Sequence, residues 1–99
     1  ATAGASRNRA ALHAAAGRTE ATLGALMTAY QAQLVSQNHA IDVANSAAAS
    51  YNSGQANIAD ALKTEATAAV VDAEAKTAAV HAALAEVKQA FAVLQRGAG

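Results

Sequence analysis

Tyr51-Asn52-Ser53-Gly54-Gln55 stands near the middle of a 99-residue chain that has no proline and no cysteine. A long Ala-rich run, favourable to helix, lies on either side of it. Asn, Ser and Gly are turn residues. Gly54 can take the left-handed conformation that ends a helix, and Asn52 or Ser53 can cap the next one. Asn52 and Gln55 also have capping-box spacing. The reading of these five residues decides between a hairpin of two helices and a single long rod.

The flanks favour the hairpin. Before the turn, Leu23, Met27, Tyr30, Leu34, Gln37, Ile41, Ala44, Ala48 and Tyr51 follow alternating steps of four and three. After it, Ala56, Ala59, Lys63, Ala66, Val70, Ala73, Thr77, Val80, Leu84, Val87, Phe91 and Leu94 do the same. Both are coiled-coil seams with a period near 3.5. Folded about Gly54 they mirror each other. Ala44 and Ala48 meet Ala59 and Ala66; Leu23, Met27 and Tyr30 meet Val80, Leu84 and Thr77; Phe91 falls opposite Ala16 and Gly17. Small against small, then large against small, is what interdigitating packing requires. A rod has no reason to carry such a mirror.

The expected fold is therefore all-α, an antiparallel two-helix hairpin of coiled-coil type forming one domain over residues 1–99. Helix one spans about 6–52, with Ser6 as N-cap and Ala1–Ala5 frayed. Gly17 is a kink, a break or a close packing point. The turn covers 52–55 and is made by Asn52, Ser53 and Gly54. Helix two spans about 56–96, with Arg96 suited to its dipole and Gly97 and Gly99 ending it. Its far face carries Asp60, Glu65, Asp72, Glu74, Lys76, Glu86 and Lys88, including the i,i+4 pair Asp72–Lys76.

Composition limits what such a hairpin can do alone. About a third of the residues are Ala, and a buried methyl contributes only about 0.8 kcal/mol. Large apolar side chains are scarce, with one Phe, one Met and no Trp. A core this thin points to an oligomer or a partner. The charge balance of seven basic against seven acidic residues lacks the excess of cations that a nucleic-acid surface needs. No run is apolar enough for a transmembrane helix, and no signal-peptide pattern is present.

From Ala21 to Ala59 the only formal charge is Asp42; the polar residues are Gln, Asn, Ser and Thr. Neutral amides and hydroxyls suit a helix face packed on another helix, where they hydrogen-bond without burying charge. Gln37 is the polar member of the first seam, either fixing register or turned to water at its edge.

No catalytic constellation is visible. His13, His39 and His81 are scattered, and His39 with Asp42 would need further ligands to hold a metal. The carboxylates do not recur as the Glu-x-x-His pairs of a di-metal bundle. Phosphate loop, nucleophile elbow and Cys/His pair are all missing. The expectation is a non-enzyme with no catalytic, cofactor or metal site and no small-molecule substrate. Its interface would be Leu23, Met27, Tyr30, Leu34, Ile41 and Tyr51 on helix one with Val70, Val80, Leu84, Val87, Phe91 and Leu94 on helix two. The partner would be the chain itself or a paired helical homologue.

Two family resemblances accompany this reading. Two long helices in about a hundred residues, with the central aromatic-plus-Gly turn Tyr51-Asn52-Ser53-Gly54, resemble the Trp-x-Gly helical hairpins of type VII secretion. Ala47 to Gln55 looks like their Tyr-x-x-x-acid export motif, with Gln55 in the place of the acid. This resemblance implies a secreted homo- or heterodimer. Tyr30-Gln31-Ala32 and Asn45-Ser46-Ala47, within the uncharged stretch from Leu26 to Asn57, resemble the central helix of R-body proteins. That resemblance implies a cytoplasmic, self-assembling ribbon or filament subunit.

Overall fold

The computed structural model describes the backbone of residues 2–97 and the side chains of residues 7–97. It is an antiparallel hairpin of two helices, α1 (Thr2–Asn52) and α2 (Ala56–Gln95). Ala1 and Gly99, expected to fray and to close the chain, lie outside the described residues.

The reversal is a Schellman-type ending. Gly54 sits at φ 80°. Its N–H donates to Tyr51 O at 3.1 Å, and the Gln55 N–H reaches back to Ser50 O at 2.9 Å. These bonds satisfy carbonyls that the end of α1 would leave open. The Gln55 carbonyl then accepts from the Ala59 N–H at 3.0 Å, which makes Gln55 the N-cap of α2. This corrects the assignment of that cap to Asn52 or Ser53. Asn52 is the last residue of α1, and the Ser53 hydroxyl donates back to Ser50 O.

Two further expectations are revised. α1 begins at Thr2, so Ser6 lies within the helix and not at its cap. α1 also runs unbroken through Gly17, and a Cβ placed on Gly17 would meet nothing within 4 Å. Gly17 is neither a break nor a packing notch for Phe91. The Ala-rich neighbourhood carries helix across it, because one Gly costs only about 1 kcal/mol.

The chain forms two compact units, Tyr30–Ala79 and Ala1–Ala29 with Val80–Gly99. In the turn unit, Tyr30–Ala79, the inward stripe of α1 is Ser36, Ala40, Val43, Ala47 and Ser50, and Ala59 and Ala69 are buried on α2. In the terminal unit Ala15 and Ala90 are buried, with Thr19, Thr22, Leu26, Val80, Ala83 and Val87 half-buried. The period is the one read from the sequence, but the inward stripe of α1 lies one residue earlier. On α2, Ala59, Ala66, Ala73, Val80 and Val87 face inward as expected, whereas Val70, Leu84 and Phe91 yield to Ala69, Ala83 and Ala90. Ala44 and Ala48 are exposed and do not form a buried contact, and Ala44 shares only the lining of a groove with Ala66. Among the described residues the buried apolar ones are all Ala except Val43. Small side chains let two helix backbones approach closely, and the larger neighbours are displaced to the flanks.

Two stability outcomes follow. Gly54→Ala has room for its methyl but not the conformation, and should lose about 1 kcal/mol in denaturant unfolding. Gly17→Ala and Gly24→Ala meet open space within a helix and should each gain about 0.5–1 kcal/mol.

Candidate functional site

The small stripe leaves the large side chains outside. Leu23, Met27, Tyr30, Leu34, Ile41, Tyr51, Val70, Leu84 and Phe91 are exposed, Met27 at 63% and Ile41 at 56%. Val80, Val87 and Leu94 are half-buried. The first seam therefore does not pack as the hairpin's own core against the second. In the turn unit the two seams instead form the walls of a groove.

That groove has two contiguous parts that share Val70 and Glu74. One, of about 430 Å³, is lined by Gln37, Ala40, Ile41, Val70, Ala73, Glu74 and Thr77. The other, of about 460 Å³, is lined by Ala44, Ala47, Tyr51, Lys63, Ala66, Thr67, Val70, Val71 and Glu74. Buried Ala40 and Ala47 belong to the floor. Seam members Gln37, Ile41, Ala44 and Tyr51 form one wall; Lys63, Val70 and Thr77 stand on the other. Gln37 is half-buried at the groove's edge. The lining is mostly apolar, and its formal charges are Lys63 and Glu74.

Three side-chain hydrogen bonds cross between the helices and set their register in this unit. Gln33 Nε2 donates to Thr77 Oγ1 at 3.0 Å, and the Thr77 hydroxyl itself donates to Ala73 O. The buried Ser36 hydroxyl donates to Asp72 Oδ2 at 2.5 Å. Tyr51 Oη donates to Asp60 Oδ1 at 2.5 Å. The neutral polar stretch of α1 thus divides. Ser36 and Ser50 turn inward, Gln33 reaches across, and Gln31, Asn38, Asn45 and Ser46 face water. The charged face of α2 divides too, because Asp60 and Asp72 bond to α1 and Glu74 lines the groove. Sequence reasoning missed these roles. The signal available was the level of Ser36 with Asp72 and of Tyr51 with Asp60 once the turn is placed at Gly54.

The electrostatics follow from these bonds. The Ser36 hydroxyl, with Lys76 and more remotely His39, holds the Asp72 carboxyl below its ordinary 3.8, against a smaller desolvation effect. Lys76 Nζ lies 3.7 Å from Asp72 Oδ1 in the expected i,i+4 pair. That pair is solvent-exposed and contributes little. Donation to Asp60 raises the Tyr51 phenol above its ordinary 10.0, with desolvation and the Asp60 charge adding to the effect.

Among the described residues no three His, Cys, Asp or Glu side chains gather to hold a metal ion. Within them no helix is long and apolar enough to cross a membrane. No family model, curated protein or solved structure matches the chain.

The depressed Asp72 carboxyl stabilises the hairpin fully above its unfolded value near 3.8. That contribution fades as pH falls through this value to the lower folded one. Ser36→Ala should shrink the acid-side fall in melting temperature between pH 5 and 2, and Asp72→Asn should remove its share. Tyr51 runs the other way, stabilising below pH 10.0 and fading above it. Tyr51→Phe should flatten the alkaline limb of the same profile.

Proposed function

We propose that this chain is a non-enzymatic helical assembly protein that completes its core against another helical chain, either a copy of itself or a paired homologue. One observation carries the reading: among the described residues the hairpin buries mainly Ala and Ser and leaves most of its large apolar side chains exposed. Buried Ala stabilises weakly, at about 0.8 kcal/mol per methyl. Complete burial of a Leu, Ile, Met or Phe side chain is worth about 1.5–3 kcal/mol, so covering the half that stays exposed here contributes roughly half of that each. Contiguous apolar surface of this kind marks interaction sites. The groove adds a shape that a helix fits, as in helix-in-groove recognition.

Within this class a dimeric type VII secretion hairpin is the first reading, supported by the two-helix architecture and the Tyr51–Gly54 turn. A self-assembling ribbon or filament subunit is the second. It draws on the uncharged outward amides Gln31, Asn38 and Asn45, which can hydrogen-bond between copies without burying charge.

Sedimentation and circular dichroism over a concentration series test the proposal. Helicity and melting temperature should rise with protein concentration, because association stabilises the folded form by mass action. Discrete dimers favour the first reading, and open-ended growth favours the second. A monomer that melts cooperatively, at a temperature independent of concentration, would overturn both.

A further inference from the structure

The α2 wall of the groove in the turn unit is its own complement. On α2 the groove side carries Lys63, Thr67, Val70 and Glu74. Their spacing is four, three and four residues, the same from either end, with a cation at one end and an anion at the other. Laid antiparallel on its own copy, this stripe sets Lys63 against Glu74 and Thr67 against Val70.

On α1 the exposed seam is centred on Ile41, which lines the groove. Leu34 and Ala48 lie seven residues to either side of it, so in an antiparallel copy each Leu34 meets an Ala48, large against small. The two centres are level. The Gln33–Thr77 and Ser36–Asp72 bonds fix a register that puts Ile41 beside the interval between Thr67 and Val70. One two-fold axis therefore serves both walls at once.

The geometry points to a second copy of this chain as the partner that covers the groove. Two hairpins face each other groove to groove and antiparallel, about a two-fold axis at Ile41. This rests on the assembly reading and names its partner. The contact is isologous, so each Lys63–Glu74 pair forms twice. Among the described residues the intrachain ion pair is Asp72–Lys76, which leaves Lys63 and Glu74 for the second copy. Parallel facing would set α2 against the nearly uncharged α1 and pair neither. The charges fix orientation, and burial of Ile41, Val70 and Tyr51 supplies affinity.

Charge exchange tests the arrangement. Lys63→Glu and Glu74→Lys each place like charges together at both symmetric contacts. Each variant alone should dimerise at least about tenfold more weakly than wild type in sedimentation equilibrium. An equimolar mixture of the two restores opposite charges at both contacts and should recover wild-type association. Circular dichroism monitors that each variant remains helical. As a second probe, Ile41→Cys in this cysteine-free chain should form a disulfide-linked dimer under mild oxidation. Val35→Cys, 70% exposed and outside the groove lining, should not. A wild type that assembles while single swaps have no effect, or a mixture that does not recover, overturns the two-fold docking and leaves the assembly reading standing. A poorly ordered wild-type monomer overturns self-docking alone, in favour of a different partner. A cooperatively melting monomer overturns both.

Discussion

The contact between two stripes of small side chains is the constraint on which the rest depends. Ala40, Ala47, Ala59 and Ala69 in the turn unit, and Ala15 and Ala90 in the terminal unit, project only a methyl. Backbones can come close over such side chains, and dispersion between well-packed atoms accumulates. A close approach also leaves little room for large side chains on the line of contact, and Tyr30, Tyr51 and Phe91 are all exposed. The larger residues must therefore lie beside it, and the groove, the exposed apolar flank and the incomplete core all follow.

An Ala stripe specifies register poorly, since one methyl fits another's place with little loss. Polar side chains supply the missing specificity in the turn unit. Ser36 with Asp72, Gln33 with Thr77 and Tyr51 with Asp60 each bond across the helices. No buried side-chain nitrogen or oxygen among the described residues lacks a partner. Threonines that point along the helices meet the same need locally, donating to carbonyls three or four residues back. The Schellman ending at Gly54 agrees with these bonds, so local and tertiary preferences support one arrangement.

The hairpin itself was legible, because Gly54 and its polar neighbours stand alone between two proline-free helical runs. The heptad period was legible too. Which residue within each heptad faces inward was not. Hydrophobicity favours Leu23, Met27, Tyr30 and Ile41, and a reading by side-chain size puts them in the intrachain seam. The helices chose Thr22, Leu26, Ala29 and Ala40, one residue earlier, a line that carries smaller side chains than the expected seam. A shift of one residue turns a helix face by about 100°, enough to convert the expected core of α1 into an outer wall. Ser36 and Asp72 were missed for a related reason. Each looks like surface on its own helix, and only the crossing makes them partners.

By itself the sequence determined two helices, their reversal about Gly54 and the 3.5-residue period, since these rest on local backbone preference and spacing along one chain. Tertiary structure alone decided the inward stripe, the cross-helix bonds and the groove with Lys63 and Glu74 on its wall. The physical reason is that helix rotation about its own axis costs nothing until a second helix is present. The choice then depends on how closely the two backbones can pack, a property of the pair and not of either segment.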